Sequence, residues 1–232
     1  GMVQAPLQQI DQIMNHAISE KLMPGAVTLV ARGRKVVKHD AYGYSALYTD
    51  GDFNEMEKPI SMETDTIFDL ASISKIFTAA AVMILFEKGY FHLDDPVAKH
   101  IPEFAVNGKE NVTIRQLLTH TSGFTAWVPL YSKGSSREDR LKMVLEQPLK
   151  NPPGTTYEYS DLNMITLGML VEQWSGTRQD EFVREHITEP LGMKDTMYNP
   201  PASLKHRIAA AEYQSIPNRG LVWGEVHDEN AW

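Results

Sequence analysis

Leu70-Ala71-Ser72-Ile73-Ser74-Lys75-Ile76-Phe77-Thr78-Ala79-Ala80-Ala81-Val82-Met83-Ile84-Leu85-Phe86 is the stretch on which the reading of this chain turns. It is apolar all round, so as a helix it is expected to be buried on most faces. Lys75 is its only charge. Burying an unpaired ammonium is costly, and proteins avoid it by pairing the group or lowering its pKa. Ser72 lies three residues earlier, on the same helical face and near the N-terminus, where free N–H groups favour developing negative charge. A serine hydroxyl is a weak nucleophile until a neighbouring base takes its proton, and a desolvated lysine can be that base. A helix-capping serine with a snorkelling lysine gives the same pattern. Ser-x-x-Lys alone is expected about once by chance in a chain of this length.

Outward from this helix, the chain reads as mixed α and β. Leu7, Ile10, Ile13, Met14 and Ala17 recur at helical spacing, and Pro24-Gly25 ends that opening helix. Val27 to Ala31 and Lys35 to Lys38 flank Arg32-Gly33-Arg34 as a hairpin. From Ser72 to about Gly192 the pattern is mainly helical. Ser135 and Ser136 precede Glu138 and Asp139 in a capping arrangement that starts a helix through Val144. Ser160 to Trp174 forms another, with Leu162, Ile165, Leu167, Leu170 and Val171 on its buried side. A two-stranded hairpin alone is marginal, so further strands are expected, yet little after residue 205 looks strand-like.

Bulk composition narrows the function. The 232 residues are 42% hydrophobic and 22% charged, ordinary for a globular protein. A formal charge of −8 argues against nucleic acid or an anionic membrane as main partner. There is no cysteine, which excludes disulfides, thiolate metal sites and cysteine nucleophiles. The apolar run Ile76 to Phe86 is too short to span a bilayer, and Met2 to Glu20 reads as an amphipathic helix rather than a signal peptide. Gly1 before Met2 reads as a remnant of tag removal. With Met2 as the native start the expected location is cytoplasmic; with a leader removed it is exported. The oligomeric state is not readable.

The second candidate element is Tyr157-Glu158-Tyr159-Ser160-Asp161-Leu162-Asn163, at a loop-to-helix junction after a Pro-Gly turn. A tyrosine hydroxyl beside an ammonium could pass a proton to a leaving group; a packed aromatic followed by a Ser160 or Asp161 N-cap is the plainer alternative. Together with Ser72-Ile73-Ser74-Lys75, these residues resemble the serine β-lactamase and penicillin-binding-protein superfamily, in particular its class C β-lactamase and family VIII esterase-like branch. Leu117-Leu118-Thr119-His120-Thr121-Ser122-Gly123-Phe124 looks like a family signature, and Leu93-Asp94-Asp95-Pro96-Val97 and Glu189-Pro190-Leu191-Gly192-Met193 also read like its members.

The resemblance implies an α+β fold of the β-lactamase/transpeptidase type: an antiparallel sheet flanked by helices, plus a helical domain. Residues 1–70 would be the N-terminal part of the α/β domain. Residues 71–200 would be the helical domain carrying both motifs, and 201–232 an incomplete return. It implies a serine hydrolase that forms an acyl-enzyme on Ser72, with Lys75 and Tyr159 moving protons and Asp161 meeting substrate. Substrates would be small esters, amides or β-lactams, leaving carboxylesterase, peptidoglycan-fragment amidase or peptidase, and β-lactamase open. A penicillin-binding or sensor-like module that acylates without efficient turnover is the alternative. No cofactor is called for. His120 is structural in this resemblance, and no ligand spacing supports a metal. Two departures stand out. Asp161 replaces the family asparagine, and an ionised aspartate cannot donate to a substrate carbonyl. The third family motif, Lys or His, a small residue and Gly, has no counterpart after Asp161, so the reading expects a longer parent protein. A class A-like reading would use Ser160 rather than Tyr159 as the proton shuttle.

Overall fold

The computed structural model describes residues 2–232, which gather into two units: 2–69 with 199–228 and Trp232, and 70–198 with 229–231. In the first, helix α1 (Gln4–Ser19) precedes strands β1 (Gly25–Arg32), β2 (Lys35–Tyr48) and β3 (Glu55–Ser61). The three strands form one antiparallel sheet in the order β1-β2-β3. The β1–β2 connection is two residues, Gly33 and Arg34, with φ of 57° and 64°. Positive φ at both central positions is a type I′ turn, whose twist matches that of the flanking strands. The hairpin runs further than its β-branched core suggests, and β3 supplies a strand that the sequence reading did not place. Pro59 lies within β3, which is tolerable because β3 is at the edge of this sheet. Lys38 ties α1 to β2 by pairing with Asp11 at 2.6 Å and with Asp40 at 2.7 Å. Two short strands, β4 (Tyr213–Gln214) and β5 (Gly220–Leu221), pair with each other, and Ile67 bridges Ile208.

The second unit is helical: α2 (Ser74–Glu87), α3 (Ile114–Leu118), α4 (Arg137–Glu146), α5 (Asp161–Ser175) and α6 (Gln179–Val183). Its core holds Val82, Leu85, Phe104, Leu117, Phe124, Leu162, Leu167 and Leu170. Helix α2 packs on α5 and α6, and Gln179 Nε2 donates to the buried Thr78 hydroxyl at 2.7 Å. The expectation that α2 is buried on most faces is only half met. Thr78, Ala81, Val82 and Leu85 are buried, whereas Ile73 and Ile76 are 55% and 67% exposed. The reason is the helical period: 78, 81, 82 and 85 form one stripe, and 73, 76 and 83 form another. Ser136 caps α4 by accepting from the Asp139 N–H at 3.1 Å. A full capping box, Thr113 with Gln116, opens α3.

Lys109 is fully buried. Its ammonium donates to the carbonyls of Val106 (2.9 Å) and Gln147 (2.7 Å), and lies 5.4 Å from the centre of the Phe104 ring. It is a staple between two loops, satisfied by carbonyls rather than by a carboxylate.

Candidate active site

Ser72 sits in a 3-10 turn (Ala71–Ile73) that feeds directly into α2. The residue before it, Ala71, has a φ of +44°, a region that costs a residue with a Cβ roughly 1–2 kcal/mol. Such backbone is kept only where its surroundings impose it. The Ser74 hydroxyl donates to the Ala71 carbonyl at 2.6 Å and helps to hold the turn.

Lys75 lies at the head of the buried stripe of α2, and its side chain is 18% exposed. Its ammonium donates to Ser72 Oγ at 3.1 Å and pairs with Asp161 Oδ1 at 2.8 Å. It also lies 5.0 Å from the centre of the Tyr159 ring. Burial pulls the Lys75 pKa down, but the hydrogen bonds and charge of Asp161 and Tyr159 outweigh it and raise the pKa above the ordinary lysine value. Desolvation therefore does not leave the resting lysine a free base, because its carboxylate partner holds the proton on it.

Tyr159 and Asp161 are presented by the loop that enters α5. The Ser160 hydroxyl, fully buried, donates to the Thr125 carbonyl at 2.7 Å, and the Asp161 N–H donates to the Ala126 carbonyl at 2.9 Å. Glu158 closes the same junction: it accepts from the Ala126 N–H at 3.1 Å and pairs with Lys150 at 2.8 Å. These bonds tie residues 158–161 to 125–126 on the next strand of loop. Ser160 thus points into packed protein and is bonded to a carbonyl, whereas Tyr159 is 44% exposed.

The structure brings all four candidates, Ser72, Lys75, Tyr159 and Asp161, around one ammonium. It adds three residues to which the sequence reading gave no role in the site: Ser122, Asn163 and, in a new capacity, His120. Ser122 Oγ donates to Asn163 Oδ1 at 2.6 Å, and Asn163 Nδ2 lies 3.1 Å from His120 Nδ1. The His120 ring is 4.8 Å from that of Tyr159. Asn163 is the last residue of the helix-start element 157–163, but its partner is 43 residues away, so no local pattern discloses the contact. Among the described residues no group of three or more His, Cys, Asp or Glu side chains is placed to hold a metal. No helix among them is long and apolar enough to cross a membrane.

Comparison with known proteins places the chain in a family. The chain is 32% identical over 252 aligned positions to a protein of Escherichia coli (strain K12) named "Putative D-alanyl-D-alanine carboxypeptidase", covering 97% of this chain and 57% of that one. It therefore spans little more than half of that relative. Among solved structures, EstCE1, a hydrolase with promiscuous acyltransferase activity, matches with a TM-score of 0.75 and 26% identity over 94% of this chain and 59% of its own. The octameric penicillin-binding protein homologue from Pyrococcus abyssi shares the fold, with a TM-score of 0.77 at 24% identity over 97% of this chain and 52% of its own. Residues 10–231 match the Beta-lactamase family throughout, and the chain belongs to that family, with its mixed helical and antiparallel-sheet fold.

Proposed function

We propose that the protein is a serine hydrolase working through an acyl-enzyme on Ser72, and that its preferred substrates are small esters. The observation that carries this is the single ammonium of Lys75, 3.1 Å from Ser72 Oγ and 2.8 Å from Asp161. In the acylation step Ser72 Oγ bonds to the substrate carbonyl carbon as its proton passes to the neutral form of Lys75. The carbonyl–leaving-group bond then breaks, and the leaving group takes a proton delivered through Lys75 and Tyr159. Water attacks the acyl ester by the reverse route and restores Ser72. Membership of the Beta-lactamase family and the likeness to a hydrolase at 26% identity support the acyl-enzyme route.

The ester preference rests on Asp161. Its carboxylate accepts from Lys75 and has no hydrogen to offer the acyl-amide carbonyl that β-lactams and peptides carry. A buried polar group left without its partner typically costs about 1–3 kcal/mol. The test is turnover of p-nitrophenyl acetate against nitrocefin, with Ser72→Ala as control. Steady ester hydrolysis lost in Ser72→Ala, at a kcat/KM above that for nitrocefin, is the expected result. A preference for nitrocefin overturns the substrate assignment. Fluorophosphonate labelling that survives Ser72→Ala overturns the nucleophile.

A further inference from the structure

His120 stands at a φ of +55° and touches three successive residues of the loop that presents the tyrosine. Its carbonyl accepts from the Glu158 N–H at 2.9 Å, its ring lies 4.8 Å from the Tyr159 ring, and its Nδ1 lies 3.1 Å from the Ser160 backbone nitrogen. A backbone N–H can only donate, so Nδ1 must be the unprotonated nitrogen of the ring. The second neighbour of Nδ1 gives the same answer. Ser122 Oγ accepts from the Phe124 N–H at 3.2 Å and so turns its own hydrogen to Asn163 Oδ1. That orients the Asn163 amide with Nδ2 toward His120 at 3.1 Å. Ser122, Asn163 and Ser160 are all buried, so water cannot stand in for a lost partner. Two donors therefore converge on one lone pair, which exists only while the ring is neutral.

We propose that neutral His120 is the positioning residue that holds Tyr159 in register with Lys75, and that protonating its Nδ1 in mild acid frees the Tyr159 loop and switches the site off. The proposal rests on the acyl-enzyme reading above. The groups facing the ring are the Lys75 ammonium on α2, the Asp161 carboxylate at the start of α5, and the Tyr157 and Tyr159 rings. The Glu158 carboxylate is engaged elsewhere, by Lys150, Asn151 and the Ala126 N–H. Burial first, then the Lys75 charge, lowers the His120 pKa from its ordinary 6.5, with Asp161 opposing. The switch accordingly belongs below pH 6.5, and the neutral ring is the resting form at pH 7.

The decisive variant is His120→Asn. Its Oδ1 can occupy the place of Nδ1 as an acceptor, asparagine tolerates positive φ, and it cannot be protonated in this range. His120→Leu removes the acceptor. With p-nitrophenyl acetate, the wild-type log kcat is expected to fall with a slope of about 1 per pH unit, set by Lys75, and to steepen to about 2 below the His120 titration. His120→Asn should hold neutral-pH kcat to within about threefold and keep the slope of about 1 throughout, whereas His120→Leu should lose about a hundredfold in kcat with little change in KM. A steepening below pH 6.5 that persists unchanged in His120→Asn, or a His120→Leu protein with near wild-type kcat, overturns the proposal. Side-chain nitrogen NMR of His120 in the full chain tests it without turnover. The expected neutral form carries its proton on Nε2, and its titration should shift the Ser160 amide and Tyr159 ring signals together. A proton on Nδ1 at pH 7 overturns the positioning role. If Ser72 proves inert while this tautomer and coupling are found, it is the hydrolase reading that fails and not the role of His120.

Discussion

Lys75 is asked to do two opposed things: to rest as an ammonium against Asp161 and to receive the proton of Ser72. The Asp161 pair at 2.8 Å favours the charged form and helps to raise the lysine pKa, so only a minor neutral population accepts protons near pH 7. Asp161→Asn removes the opposing charge while keeping the shape. The lysine pKa should then fall, and the rise of kcat/KM with pH that follows its deprotonation should move to lower pH. A pH profile of the two proteins measures this directly; a profile that stays in place means that Lys75 does not govern the rate. Lys75→Ala should be nearly as severe as Ser72→Ala, because members of one catalytic unit fail together rather than additively, typically by several powers of ten. If it costs less than about tenfold, the lysine is structural. The two side chains of the junction should separate cleanly. Tyr159→Phe should lower kcat strongly with little effect on folding. Ser160→Ala, which leaves the Thr125 carbonyl without its buried donor, should cost about 1–3 kcal/mol of stability and little activity. The reverse order would make Ser160 the proton shuttle.

At the scale of elements, the junction between 120–126 and 150–161 carries the site, and one glycine permits it. Gly123 has a φ of +91°, and a Cβ there would meet the Asn151 carbonyl oxygen at 2.0 Å. Its own carbonyl accepts from the N–H groups of Lys150 and Asn151, so the backbones cannot part without losing both bonds. Gly123→Ala should therefore lower the unfolding midpoint and destabilise the fold by more than about 1 kcal/mol, whereas the same replacement at a compatible position stabilises by about 0.4–1 kcal/mol. A variant with the wild-type midpoint would show that the two segments can move apart at no cost. This geometry also marks how far the sequence could be read. Ser72 and Lys75 were legible because both lie within one turn of one helix, and α1, the β1–β2 hairpin, α4 and α5 because their periodicity and turn residues are local. β3 was not legible: Glu55-Met56-Glu57-Lys58-Pro59-Ile60-Ser61 has one β-branched aliphatic residue and a proline, and pairing with β2 overrides that weak propensity. Nothing local announces the burial of Lys109, because the Gln147 carbonyl that it meets lies 38 residues away. The part of His120 was hidden for the same reason, because the atoms that define it lie 40 and 43 residues further along.

Over the whole molecule, a formal charge of −8 makes the carboxylates the groups that decide behaviour in acid. Hydrogen bonds and cationic neighbours lower the pKa of several of them. Asp11 is held down by Lys38 and Tyr42, Asp50 by Asn54, Asp94 by Arg115, Asp139 by Ser135 and Glu158 by Lys150. Asp95 is taken to about 2, chiefly by the His92 N–H, with Lys99 and His100 adding to it. Each binds its proton less tightly in the folded chain than in the unfolded one. Their contribution to stability is therefore complete above the ordinary carboxylate range near 4 and is lost as pH falls through the lowered folded values. His120 acts in the same direction one step higher. Its folded pKa lies below 6.5, so the unfolded chain takes up that proton first and stability begins to decline below pH 6.5. Urea unfolding between neutral pH and about pH 3 should accordingly show two descents in the midpoint, a shallow one below 6.5 and a steep one below about 4. His120→Asn should remove the first and leave the second. Asp95→Asn should lower the midpoint at neutral pH, where the charged hydrogen bonds are intact, and make the fall below about 4 shallower, so that the two curves converge toward pH 2. A wild-type midpoint that stays level down to about pH 3 would show that these carboxylates are bound no more favourably in the folded chain than in the unfolded one.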